Sequence, residues 1–311
     1  MAENLRTEGK PEMANVTANG IRIEYETFGD RRHPAMLLIM GLGAQMIFWD
    51  DNFCREIAGR GFHVIRFDNR DCGLSTHFSE KGIPDVFKAV TASLAGEKVE
   101  APYSLGDMAA DAVGLLDGLG IARAHVVGAS LGGMIAQTVA IDHPARALSL
   151  TSIMSTTGNP QVPPAKPEAL AVLLTPAPSD RAQFLDHMVR SFRIIGSPGF
   201  ELDEVGFRDR VGRAFDRSYD PAGVARQLVA ALADGNRKQR LRLVRAPTLV
   251  IHGKQDPLVP VEGGVDTADG VPDARLLVID GMGHDLPRGA WPQIVEAIAD
   301  IAASTDGAAA S

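Results

Sequence analysis

Three short stretches place a hydroxyl, a carboxylate and an imidazole just beyond apolar runs. The first, His125-Val-Val-Gly-Ala-Ser130-Leu-Gly-Gly133, contains glycine-x-serine-x-glycine. Serine is a poor nucleophile until a neighbouring base takes its proton. In this motif an apolar strand turns sharply into a helix, and side chains at Gly128 and Gly132 would collide across the turn. Ser130 then stands at a helix N-terminus, where the dipole favours an oxyanion. The second stretch, Leu249-Val-Ile-His-Gly-Lys-Gln-Asp256-Pro257, ends a strand with an aspartate. The third, Val278-Ile-Asp-Gly-Met-Gly-His284-Asp-Leu-Pro287, presents a histidine from a glycine-rich loop. Ser130, His284 and Asp256 are therefore the candidate nucleophile, base and orienting acid. The bland readings are a serine N-cap, a turn aspartate before proline and a surface histidine. Their common placement after strands argues against all three. Of the other histidines (33, 63, 77, 125, 143, 187 and 252), His252 is the nearest rival. It follows its strand directly, so it is expected to pack behind the loop.

The elements that must position these groups alternate along the chain. Asn19-Gly20 between Asn15–Thr17 and Ile21–Phe28 is a hairpin signal. Ala35–Met40, Phe62–Phe67, Ala124–Val127, Ala147–Met154, Thr248–Ile251 and Arg275–Ile279 read as strands. The unbroken apolar run Ala35–Met40 suits a strand covered on both faces. Helical patterns run from about Trp49 to Gly59, over Asp107–Leu119, Leu131–Asp142 and Trp291–Ala302. Such alternation predicts an α/β architecture with a mostly parallel sheet wrapped on both faces. Binding sites in open sheets of this kind lie at the carboxyl edge, where all three candidates fall. Residues 155–245 break the rhythm: six prolines between Pro160 and Pro178 precede a charged, helix-like stretch without a strand. This divides the chain into a core of residues 15–154 and 246–302, a helical cap at 155–245, and polar tails at 1–14 and 303–311.

Composition narrows the function classes. The 311 residues are 45% apolar and carry a net charge of −8, which fits a globular protein and disfavours nucleic acid as a partner. Two cysteines, Cys54 and Cys72, are too few for a disulfide framework. The first residues, MAENLRTEGKPEM, lack an apolar secretory segment, and no stretch approaches a membrane span. A cytoplasmic location, reduced structural thiols and no membrane association are expected; oligomeric state stays open. Gly41 and Gly43 do not make a dinucleotide fingerprint, and no Cys/His cluster suggests a metal, so no cofactor is expected. The basic run Asn236–Arg245 reads as a solvated face. Ala169–Leu174 reads as a pocket roof or as helix packing, and Met46, Phe48 and Trp49 as substrate-facing or core.

Over most of residues 20–300 the chain resembles α/β-hydrolases of the serine esterase type, within them the aclacinomycin methylesterase group and related bacterial carboxylesterases. The resemblance is carried by Phe67-Asp-Asn-Arg-Asp-Cys-Gly-Leu-Ser75, by Asp107-Met-Ala-Ala-Asp-Ala-Val113, by the serine turn and by the Asp256 and His284 loops. It implies the chain order Ser, Asp, His seen here, a catalytic triad of Ser130, Asp256 and His284, and an oxyanion hole from the backbone N–H groups of Leu42 and Leu131. Where many relatives have His-Gly after the third strand, this chain has Met40-Gly41-Leu42-Gly43; backbone donors do not need that histidine. Asp68, Arg70 and Asp71 are expected to be internally paired scaffold. The implied activity is cleavage of a hydrophobic small-molecule ester through an acyl-enzyme. The same triad also serves carbon–carbon bond hydrolases and cofactor-free perhydrolases, and a non-catalytic binder on the fold is a third reading.

Overall fold

The computed structural model describes residues 13–305. β1 (Met13–Ala18) and β2 (Ile21–Phe28) form the hairpin, with Asn19 and Gly20 at φ 48° and 76°. Met13 and Ala14 thus belong to a strand, although their sequence context places them in the tail. Most of the 1–14 and 303–311 tails lies outside the described residues. β3 (Ala35–Ile39) leads through a glycine loop and a 3-10 turn (Met46–Phe48) to α1 (Asp51–Ala58). There the Asp50 carboxylate accepts from the Asn52 N–H and caps the helix. β4 (His63–Phe67), α2 (Val86–Leu94), α3 (Leu105–Gly118), β5 (Ala124–Ala129), α4 (Leu131–Asp142) and β6 (Ala147–Ile153) follow. Five helices come next: α5 (Pro167–Leu174), α6 (Arg181–Ile195), α7 (Glu204–Arg217), α8 (Pro221–Asp234) and α9 (Lys238–Leu241). The chain closes with β7 (Thr248–Gly253), α10 (Val261–Gly270), β8 (Arg275–Ile279) and α11 (Trp291–Ala303).

The eight strands form one sheet in the order β1-β2-β4-β3-β5-β6-β7-β8. β1–β2 and β2–β4 pair antiparallel, and every other neighbouring pair is parallel. β3, β4, β5 and β7 are buried along their whole length, which is why β3 reads as a continuous apolar run rather than an alternation. Successive residues feed opposite layers. Leu37, Ile39, Ile65 and Val126 pack with Leu116 of α3 and Ile135 of α4. Met36, Leu38, Val64 and Val127 pack with Phe53 of α1 and Ile298 of α11. The helices therefore clamp the sheet from both sides and hold the carboxyl ends of β5, β7 and β8 in fixed relation.

Candidate active site

The turn at Ser130 is set by glycines on either side. A Cβ on Gly128 would lie 2.0 Å from the Gly132 carbonyl oxygen, and one on Gly132 would lie 2.0 Å from that of Ile39. Ser130 itself takes φ 55° and ψ −120°, a conformation costing on the order of 1–3 kcal/mol for a side-chain-bearing residue. Its backbone is held there from several directions. The Ser130 N–H donates to Ile153 O at 2.9 Å, and its carbonyl accepts from Gly133 N–H at 2.9 Å and from the Ser155 hydroxyl at 2.8 Å.

The three candidates converge. Ser130 Oγ lies 3.0 Å from His284 Nε2, and His284 Nδ1 lies 2.7 Å from Asp256 Oδ2. Nδ1–H donates to the carboxylate, so Nε2 is bare and accepts the Ser130 hydroxyl. The second carboxylate oxygen, Asp256 Oδ1, accepts from the Leu258 and Val259 N–H groups, each at 2.9 Å. Asp256 and His284 are almost fully buried, which strengthens their hydrogen bond relative to one in water. His252 packs behind the loop: its Nε2–H donates to Val259 O at 2.8 Å and sits 3.6 Å from Asp256 Oδ2. Burial pushes its pKa down and keeps the ring neutral.

Leu131 is the first residue of α4, where no intrahelical carbonyl faces its N–H. Leu42 lies in the loop between Gly41 and Gly43. That loop runs beside the nucleophile, since a Cβ on Gly41 would lie 3.1 Å from Ser130 Cβ. Three side chains that the sequence pattern does not single out brace it. Asn69 Nδ2 donates to Met40 O at 2.9 Å. Gly43 N–H donates to Gln227 Oε1 at 2.9 Å, and Gln227 Nε2 donates to Arg70 O at 2.7 Å. Gln45 Nε2 donates to the Ser218 carbonyl at 2.9 Å. Nothing in the local sequence marks Gln227, because it comes from α8, 184 residues away from Gly43.

The charged residues of the 68–75 segment are paired with side chains from elsewhere in the protein. Asp68 accepts from Met46 N–H at 2.7 Å and Leu74 N–H at 2.9 Å, and pairs with Arg217 at 3.0 Å. Arg70 grips Asp111 at 2.6 and 2.8 Å, and Arg226 grips Asp71 at 2.8 Å twice. Asp71, His77 and Asp220 converge as well, with the Arg226 guanidinium already against both carboxylates. Met46 and Trp49 are core residues, whereas Phe48 is half-buried between the sheet and α7. Of the 169–174 run only Ala169 is buried, and Leu170 and Leu174 are exposed. The basic run departs from a solvated face at Leu241 and Val244, which are buried, and among its basic residues at Arg237. Arg237 is buried and donates to Thr156 O and Gln137 Oε1. A cleft of about 450 Å³ between α3 and α8, lined by Tyr103, Asp107 and Asp234 among others, shares no residue with the Ser130 site.

The strand order, the strained serine turn and the linked Ser–His–Asp side chains define a hydrolase architecture, and residues 34–287 match the alpha/beta hydrolase fold family; the chain belongs to it. It is 28% identical over 305 residues to the rhodomycin D methylesterase of Streptomyces peucetius, covering 91% of this chain and 95% of that protein. It is also 28% identical over 283 residues to a 2-hydroxy-6-oxononadienedioate/2-hydroxy-6-oxononatrienedioate hydrolase of Burkholderia vietnamiensis, covering 87% and 88%. The solved enol-lactonase of Burkholderia xenovorans superposes with a TM-score of 0.67 at 19% identity, covering 93% and 99% of the two chains. Among the described residues no helix is long and apolar enough to cross a membrane.

Proposed function

We propose that this chain is a serine esterase that cleaves carboxylic esters of hydrophobic small molecules. Ser130 is the nucleophile, His284 the general base and acid, and Asp256 the orienting carboxylate. The observation that carries the reading is the continuous hydrogen-bonded chain from Ser130 Oγ through the imidazole to Asp256. His284 Nε2 takes the Ser130 proton as Oγ attacks the ester carbonyl. The Leu42 and Leu131 N–H groups hold the developing oxyanion, each contributing about 3 kcal/mol to the transition state. Collapse expels the alcohol, which takes its proton from His284 Nε2–H. Water, deprotonated by the same nitrogen, then attacks the acyl carbon; the acid leaves and Ser130 recovers its proton. Asp256 keeps the proton on Nδ1 and stabilises the imidazolium. The α5–α9 segment, within the stretch 155–245, acts as a cap inserted into the 15–154 and 246–302 core and selects the substrate. A cytoplasmic location and a small-molecule partner rather than nucleic acid go with this reading.

The similarity to a methylesterase over nearly the full length supports ester cleavage. The similarity to the dienedioate hydrolase over almost as much of the chain supports a second reading, carbon–carbon bond hydrolysis by the same triad. Turnover of p-nitrophenyl acetate, butyrate and octanoate beside a vinylogous diketone separates them. Ester turnover should fall about 10⁶-fold in Ser130→Ala, and the chain-length trend sizes the acyl pocket. Turnover of the diketone alone would replace the ester reading, and turnover of neither would overturn both.

A further inference from the structure

We propose that Ser197 and Asp285 are positioning residues, clasping the His284 loop to the end of α6 so that the place of the base depends on the helical segment. The kinetic part of this proposal rests on the esterase reading; its geometric part does not.

Ser130 follows β5 directly and Asp256 comes shortly after the end of β7, whereas His284 sits in a glycine loop beyond β8 that Gln255 ties on one side. Four hydrogen bonds tie that loop to residues 195–199. Gly199 N–H donates to Gly281 O at 2.9 Å, and His284 N–H donates to Ile195 O at 2.7 Å. Gly283 N–H donates to Ser197 Oγ at 2.9 Å, and the Ser197 hydroxyl donates to Asp285 Oδ1. The Ser197 oxygen thus spends its proton on the residue after the base and a lone pair on the residue before it. The two backbones touch with no room for side chains. A Cβ on Gly283 would lie 2.2 Å from Gly196 O, and one on Gly199 would lie 2.4 Å from Gly281 Cα. Burial pushes the Asp285 carboxyl up, while the Ser197 hydroxyl and the nearby His284 oppose that. Without the hydroxyl, Gly283 N–H loses its acceptor and the Asp285 carboxylate loses one of its two Ser197 donors, the backbone N–H remaining. Displacing a reacting group by about 1 Å can cost about a hundredfold in rate, so a clasp on both sides of His284 bears directly on the 3.0 Å approach of Nε2 to Ser130 Oγ.

The test uses the full chain with Ser197→Ala, Ser197→Thr and Asp285→Asn. In Ser197→Ala, kcat on p-nitrophenyl butyrate should fall about ten- to a hundredfold with KM nearly unchanged. Ser197→Thr keeps the hydroxyl and should restore most of kcat; Asp285→Asn keeps an acceptor oxygen and should fall less than Ser197→Ala. Proton NMR supplies a readout independent of any ester: the far-downfield His284 Nδ1–H resonance should shift or broaden in Ser197→Ala and return in Ser197→Thr. An unchanged resonance in Ser197→Ala overturns the clasp, whatever happens to kcat or thermal stability. A wild type without ester turnover sinks the esterase reading and leaves the resonance to decide the clasp.

Discussion

Single residues carry the chemistry only in the protonation state that their partners impose. His284 Nδ1 faces a carboxylate whose other oxygen is already occupied by two backbone N–H groups. An asparagine at 256 would present an N–H to Nδ1 and drive the ring proton to Nε2, where it can no longer accept from Ser130. Asp256→Asn is therefore expected to lose about 10⁴-fold in kcat with the fold intact, as circular dichroism and ester turnover together would show. A loss below about tenfold would mean that Asp256 does not set the tautomer. The two thiols follow the opposite logic. Burial above all, with neighbouring carboxylates adding to it, pushes Cys54 up to about 12 and raises Cys72 well above the ordinary thiol value, which disfavours the reactive thiolate in both.

At the scale of elements, the part least legible in the sequence is α10. Its residues Val261–Gly270 include Gly263-Gly264 and lack a side-chain cap, so neither propensity nor a start signal marks a helix. The glycines are there for packing. A Cβ on Gly264 would lie 2.4 Å from His252 Nδ1, and His252 buttresses the Asp256 loop through Val259. Replacing an interior helix glycine by alanine ordinarily gains up to about 1 kcal/mol. Here the clash outweighs that gain, because the fully buried ring has nowhere to go. Gly264→Ala should lower both the urea midpoint and ester turnover; a raised midpoint with wild-type turnover would remove His252 from the support of the acid. The start of α3 shows a milder miss. Ser104 and Asp107 form a reciprocal capping box, so the helix begins at Leu105, two residues before the Asp107 suggested by the apolar spacing.

For the whole molecule, the helical segment and the core are joined by charges as well as by the loop clasp. His77 Nδ1–H donates to Asp220 Oδ2 at 2.6 Å and Nε2–H donates to Gly73 O at 3.0 Å. With Asp220 ionised both partners are acceptors, so the imidazolium is the form of the ring that satisfies both. Burial opposes this, but the Gly73 carbonyl and the carboxylates of Asp220 and Asp71 prevail and raise its pKa. Asp220 is lowered by His77, the Gly223 N–H and Arg226 against its own desolvation. A raised folded-state histidine value gives stability that is complete below its ordinary value of 6.5 and is lost as pH rises through the folded value. A lowered aspartate value gives stability that is present above 3.8 and is lost as pH falls through the folded value. The contribution of the pair is therefore greatest between 3.8 and 6.5. The Tm difference between wild type and His77→Gln should be largest in that window and shrink on the alkaline side. A difference that does not vary with pH would mean that the ring is neutral.

Local physics determined a large part of this protein from the chain alone. Unbroken apolar runs mean strands covered on both faces, and their alternation with helices means a mostly parallel sheet, as is found. Gly-x-Ser-x-Gly after such a strand means a turn that only glycines permit, and Ser130, Asp256 and His284 do meet where three strands end. Only the tertiary structure decided what braces that meeting. Gln227 behind the Leu42 loop, Ser155 on the Ser130 carbonyl, His252 behind Asp256, and Ser197 with Asp285 around His284 come from segments far apart in sequence or carry no pattern of their own. A hydrogen bond across 184 residues leaves no local periodicity, and a buried Arg237 inside a basic run looks like its exposed neighbours until the Thr156 and Gln137 oxygens that it meets are in place.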